Sequence, residues 1–144
     1  MPTRKKRGGA YSVKYAGREA ANNLRRRANT LRAPDIRMDE AQPDKLYTII
    51  IWDPDAPHRP SFLHWLVTNI PGGDISRGRV IQPYTPPSPP AGSGEHRYYV
   101  GLYEQSQRIS VGKVAQTGFD MKTFTSKYGL IKKGVKMVRV KPGY

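Results

Sequence analysis

The run LYTIIIW, Leu46 to Trp52, constrains this chain more than any other stretch. It is built from β-branched and aromatic residues and is apolar at both its odd and even positions. A strand of that kind cannot show either face to water, so it belongs in the interior of a sheet. At 144 residues the chain suffices for one core around such a strand and is too short for two.

Further strands are expected around it. LHWLVTNI (Leu63 to Ile70) stops at the turn signal Pro71-Gly72-Gly73, GRVIQPY offers a short third, and RYYVGLYEQ (Arg97 to Gln105) resumes strand character. YSVKY (Tyr11 to Tyr15) and VKMVRVK (Val135 to Lys141) read as the opening and closing strands. TPPSPPAGSG (Thr85 to Gly94) holds too much proline and glycine for regular structure. Ala20, Ala21, Leu24, Ala28 and Leu31 recur near helical spacing and predict a short helix that turns Arg25, Arg26 and Arg27 towards solvent. APDIRMDEAQPDK then reads as a proline-punctuated connection. A second helix is expected where Met121, Phe124, Tyr128 and Ile131 share a face, with Lys122, Lys127 and Lys132 elsewhere. The expectation is a flexible basic arm over 1–10 and one mostly β domain over 11–144, with one or two short helices and no internal repeat.

Charge is distributed unevenly. Met1 to Lys45 carries 12 basic and 5 acidic residues, Leu46 to Val111 carries 5 of each, and Gly112 to Tyr144 carries 8 basic and 1 acidic. The middle is neutral and each flank stands at +7, so the net charge of +14 lies outside the strand-rich centre. Such flanks favour an anionic partner, whether nucleic acid, a lipid surface or an acidic protein. The candidate contacts are Arg4, Lys5, Lys6 and Arg7, then Arg25, Arg26 and Arg27, then Lys132 and Lys133. Cysteine is absent, which removes disulfides, thiolate metal sites and cysteine nucleophiles. The most apolar run is far below the roughly 20 residues that span a bilayer, and no apolar region follows the basic N-terminus. A soluble intracellular chain is expected, cytoplasmic, nuclear or carried in a virion.

Against this background DPDAPHRPSFLHW (Asp53 to Trp65) stands out, because two aspartates and two of the three histidines fall within it. Asp53 and Asp55 follow the core strand, His64 opens the next, and His96 lies between the proline-glycine loop and RYYVGLYEQ. If these strand ends converge, they form a pocket with the Tyr98 hydroxyl and rigid proline walls. His58 is expected in exposed loop. A metal is not expected, since no familiar ligand spacing is present. Neither G-x-S-x-G around Ser93 nor a phosphate-binding glycine loop is found, and the Asp-His pair has no evident nucleophile, so no catalysis is expected. RYYVGLY lacks the glycine of an RNA-recognition strand, and aromatic alternation there reads as core packing.

DPDAP, HWLVTNIPG and PPAGSGEHRYYVGLYEQ, in this order and spacing, resemble the phosphatidylethanolamine-binding protein family. The resemblance is firm over 46–105 and continues weakly in FTSKYGL. It implies a central antiparallel β architecture with a small pocket for phosphate or a phosphorylated headgroup, made by Asp53, Asp55, His64, Pro89, Pro90, His96 and Tyr98, without cofactor or enzymatic activity. Such a protein is expected to bind, and to regulate protein partners. Arg97 should lie on the opposite face of its strand. Family members usually carry a longer C-terminal segment over the pocket, which implies a more open pocket here or one completed by a partner. The basic flanks depart from the family pattern and suggest an alternative use of the fold, as a basic interaction module of a large assembly such as a virion.

Overall fold

The computed structural model describes residues 11–144, so the basic arm of Arg4, Lys5, Lys6 and Arg7 falls outside the described residues. Among the described residues, nine strands build two sheets. β1 (Ser12–Tyr15), β2 (Arg18–Glu19) and β4 (Asp35–Arg37) form a small antiparallel sheet in the order β2-β1-β4. The large sheet runs β3-β9-β8-β5-β6-β7, from β3 (Asn23–Leu24), β9 (Ile131–Val140), β8 (His96–Gln105), β5 (Leu46–Asp53), β6 (Phe62–Pro71) and β7 (Arg79–Gln82). All its neighbours are antiparallel except β3 and β9.

As its pattern requires, β5 lies inside the large sheet and is covered on both faces. Ile49 and Ile51 point to a core that the small sheet closes with Val13, Tyr15 and Ile36. Ile50 points the other way, to Leu66, Ile109, Phe119 and Phe124. The helix α1 (Met121–Lys127) covers this second face with Phe124; the Asp120 side chain caps it by accepting from the Thr123 N–H. It ends at Gly129, whose φ of 61° suits a residue without Cβ. Ile131, expected on the helix, instead opens β9 and is exposed.

The helix expected over 20–31 does not form. Ala16, Gly17 and Asn22 adopt left-handed backbone, which turns β1 into β2 and then redirects the chain. The N–H groups of Asn22 and Arg25 bond the carbonyls of Met137 and Arg139, so the edge of β9 takes the hydrogen bonds a short, asparagine-weakened helix would have needed. Only a 3-10 turn remains, at Arg27–Thr30. The segment read as a connection after it contributes β4, paired with β1.

Candidate functional site

One end of the large sheet gathers the chemistry. Antiparallel pairing puts the C-terminal end of β5 beside the N-terminal ends of β6 and β8, so Asp53, His64, His96 and Tyr98 converge although up to 45 residues separate them in sequence. They line a cavity of about 220 Å³ whose remaining wall is Ala56, Pro57, Phe62, Thr85, Pro86, Ser88, Pro89 and Pro90. The prolines make that wall stiff and apolar.

Asp53 and His96 are almost wholly buried and joined by a contact of 2.7 Å between Oδ2 and Nδ1. The other oxygen of Asp53 accepts the Asp55 N–H at 2.7 Å, closing an Asx turn that fixes the carboxylate. On the far side of the His96 ring, Nε2 lies 2.9 Å from the Ser93 hydroxyl oxygen, which also bonds the Pro90 carbonyl at 2.7 Å. The contact with Asp53 places a proton on Nδ1, and the Ser93 hydroxyl gives its one proton either to the Pro90 carbonyl or to Nε2, as the ring tautomer selects.

His64 is arranged differently. Its Nδ1 lies 2.6 Å from the Thr85 carbonyl and must donate to it, which leaves Nε2 as the second functional atom of the ring. Burial holds His64 below the ordinary imidazole range, so Nε2 carries a lone pair near neutral pH. The ring stands edge-on to Tyr98 at 5.1 Å and to Phe62 at 4.9 Å. Burial raises the Tyr98 phenol far above its usual value and keeps it a proton donor. The cavity thus brings together the buried Asp53–His96 pair, one phenolic O–H and one imidazole lone pair among prolines.

Six of the seven residues named from sequence line this cavity: Asp53, His64, Pro89, Pro90, His96 and Tyr98. Asp55 does not. Its carboxylate is gripped by the Arg97 guanidinium at 2.8 and 3.0 Å and by the Arg97 N–H at 2.8 Å, and these bonds pull it below the ordinary carboxylate range. Arg97 is exposed on the face of β8 opposite His96 and Tyr98, and it draws Asp55 to that side. His58 is exposed. Ser93 was weighed in sequence only as a nucleophile and missed as a partner of His96; its signal was the flanking pair Gly92 and Gly94, with φ of 82° and 77°, which bends the loop back onto the ring.

The cations named as polyanion contacts part company. Arg25 is buried at 1% exposure and donates to the carbonyls of Tyr15, Arg18 and Glu19, so its assignment to a solvent face is corrected. Short strands replace the expected helix and turn this side chain inwards between the sheets. Arg26, Arg27, Lys132 and Lys133 are exposed, and Lys133 lies 3.7 Å from Glu104. Among the described residues, no group of three or more histidines and carboxylates is placed to hold a metal ion, and no helix is long and apolar enough to cross a membrane.

The profile described as "Phosphatidylethanolamine-binding protein" matches residues 12–137. A Drosophila melanogaster protein named for odorant binding is 39% identical over 106 residues, covering 64% of this chain and 50% of that protein. "Protein MOTHER of FT and TFL1 homolog 2" of Oryza sativa subsp. japonica is 38% identical over 109 residues, 72% of this chain and 62% of that one. The chain therefore spans about half to three-fifths of the length of these relatives. Among solved structures, a carboxypeptidase Y inhibitor complexed with its cognate proteinase superposes with a TM-score of 0.80 at 18% identity, covering 92% of this chain and 82% of the inhibitor. A phosphatidylethanolamine-binding protein from Plasmodium vivax superposes at 0.75 with 21% identity, over 92% and 84%. At these identities the structures establish the shared fold.

Proposed function

The chain belongs to the phosphatidylethanolamine-binding protein family, and from that premise we propose that it is a non-enzymatic binding protein whose pocket takes phosphate or a phosphorylated headgroup. One observation carries the reading. A buried Asp53–His96 pair sits in the same small cavity as the Tyr98 hydroxyl and His64 Nε2. Two donors and one acceptor around a cavity of this size match a phosphate group that bears one proton: its anionic oxygens take hydrogen bonds from Tyr98 and from a His96 Nε2–H whose contact with Ser93 they replace, and its P–O–H gives one to His64.

Asp53, His96 and Ser93 fall in the order of a hydrolytic triad, but the Pro90 carbonyl, 2.7 Å from the Ser93 hydroxyl, competes with His96 for its one proton. That competition supports a binding role. A role in regulating protein partners draws support from the superposition on an inhibitor seen with its proteinase. The alternative, a basic module gripping polyanions through its flanks, loses Arg25, which is spent inside the fold.

The test is a titration of inorganic phosphate and O-phosphoethanolamine against the full chain, read by amide and histidine-ring NMR shifts. Shifts should centre on His64, His96 and Tyr98. His96→Ala should weaken binding at least about tenfold, the contribution of one charge-assisted hydrogen bond. Equal binding by wild type and His96→Ala overturns the proposal.

A further inference from the structure

The mouth of the cavity carries cations that the pocket itself does not use. Arg27 reaches over the wall, its Nη2 3.4 Å from the hydroxyl of the wall residue Ser88, and its charge acts on Tyr98. Beside it, the guanidinium of Arg26 lies 4.5 Å from the centre of the Tyr144 ring, and the ammonium of Lys141 lies 4.7 Å from it. The Arg27 N–H bonds the Tyr144 main-chain oxygen at 3.2 Å, which brings Lys141 and Tyr144 into one patch with Arg26 and Arg27. All four side chains are exposed, and among the described residues none of these three cations forms an ion pair. The acids nearest in sequence to the pocket loops are already neutralised, Asp55 by Arg97 and Glu95 by Arg139.

We propose that Arg26, Arg27 and Lys141 form a cationic collar that seats the mouth of the pocket on an anionic lipid surface, so that the headgroup is taken while still in the membrane. This rests on the reading of the pocket as a phosphate site. Three unpaired cations, two of them against an aromatic ring, are suited to the interface of an anionic bilayer, where each adds about 1 kcal/mol, or roughly fivefold, to the attraction. The other polyanions fit less well. An extended phosphopeptide would need main-chain partners, yet the loop beside the mouth, PYTPPSPP over 83–90, has proline at five of eight positions, and the Thr85 N–H is committed to the His64 carbonyl. A nucleic-acid strand would need a free aromatic face for stacking, and Tyr144 already holds two cations within 5 Å of its ring centre. A headgroup needs neither, and the stiff proline lip requires no rearrangement to meet it.

The test is sedimentation of the full chain with phosphatidylcholine vesicles, with and without phosphatidylserine, across a range of salt. The background is a chain with Arg4, Lys5, Lys6 and Arg7 changed to serine, so that the arm cannot supply the attraction. This chain should partition onto phosphatidylserine vesicles in a salt-sensitive way, and adding Arg26→Gln with Lys141→Gln should reduce partitioning by about 30-fold, two cations at about fivefold each. Soluble phosphate binding, followed by NMR on the same variants, should stay unchanged. Unaltered partitioning in the glutamine pair overturns the collar, as does loss of all partitioning on changing the arm alone. So does tighter, Arg26- and Lys141-dependent binding of a phosphopeptide or an oligonucleotide. If His96→Ala leaves phosphate binding intact while the glutamine pair still abolishes partitioning, the pocket reading fails and the lipid-seating surface stands without it.

Discussion

Replacing Asp53 with asparagine puts the reading of the pocket at its greatest risk, because a carboxylate in an anion site has two opposite meanings. If Asp53 were a bystander, its charge about 5 Å from a bound anion would repel it by roughly 3 kcal/mol at an effective dielectric near 20, and Asp53→Asn would tighten binding. The geometry argues otherwise. Asp53 holds the Nδ1 proton of His96 at 2.7 Å, which leaves Nε2 facing Ser93 at 2.9 Å. On the proposed reading phosphate replaces Ser93 as the acceptor of an Nε2–H, and the Asp53 charge supports that second ring proton; with asparagine in place the negative charge and the proton are lost together. The relieved repulsion is then offset by the lost attraction, and what remains is the loss of the Nε2–H donor. A charge-assisted hydrogen bond contributes about 1.5–3 kcal/mol, so phosphate affinity should fall by about 10- to 100-fold. Calorimetric titration with inorganic phosphate measures the affinity, and ring ¹⁵N shifts report whether His96 changes from cation to neutral tautomer. Phosphate binding that is unchanged or tighter in Asp53→Asn refutes the assignment of His96 as the cationic donor.

Two further outcomes are expected. His64 sits below its ordinary value because burial disfavours its charge, so the free protein carries it neutral at pH 7; its stability contribution is complete above about 6.5 and is lost as pH falls through the lowered value. A bound phosphate reverses that preference by supplying a proton on its own oxygen or drawing one onto Nε2, so affinity should rise as pH falls from 8 to about 6, with net proton uptake in calorimetry across buffers of different ionisation enthalpy; affinity independent of pH over this window would contradict the lone pair assigned to His64. In the fold, a Cβ at Gly134 would meet the Tyr11 ring at 2.5 Å, a ring held in the core by its hydroxyl bond to the Val100 carbonyl. Gly134→Ala should therefore cost about 1–3 kcal/mol of overpacking and lower Tm by about 3–10 °C in thermal unfolding, whereas an unchanged Tm would mean that the ring is free to move.

What was legible in the sequence followed from periodicity and from stiffness. LYTIIIW announces an interior strand because no other placement hides both faces, and the prolines of 83–90 exclude a ladder there whatever the fold. The pocket residues could be named because their motifs resemble those of a family; the antiparallel ends of β5, β6 and β8 then bring four of them together, and the proline loop adds Pro89 and Pro90. Asp55 could not be placed from sequence, since alternation puts Arg97 on the outer face but says nothing about which carboxylate it will capture. Ser93 was hidden for a related reason: its contact with His96 depends on two left-handed glycines, and glycine in a sequence marks freedom without saying how the chain will use it.

Arg25 to Arg27 shows where counting charge stops being informative. Three adjacent arginines look alike to any tally, but the edge of β9 fixes their backbone through the Arg25 N–H to Arg139, and the chain then turns into the 3-10 turn that begins at Arg27. Arg25 turns inwards and ties three carbonyls of the β1–β2 hairpin region, while its neighbours face outwards beside Ser88 and Tyr144. The inward arginine thereby orients the outward pair, because shifting the register by one residue would bury Arg26 and turn the Arg25 side chain out of the clamp. A run that first reads as generic attraction to polyanions resolves into one internal clamp and two outward cations, one beside Ser88 and one over the Tyr144 ring. On the proposed reading, selectivity for an anionic surface at this face follows from packing between the sheets rather than from net charge.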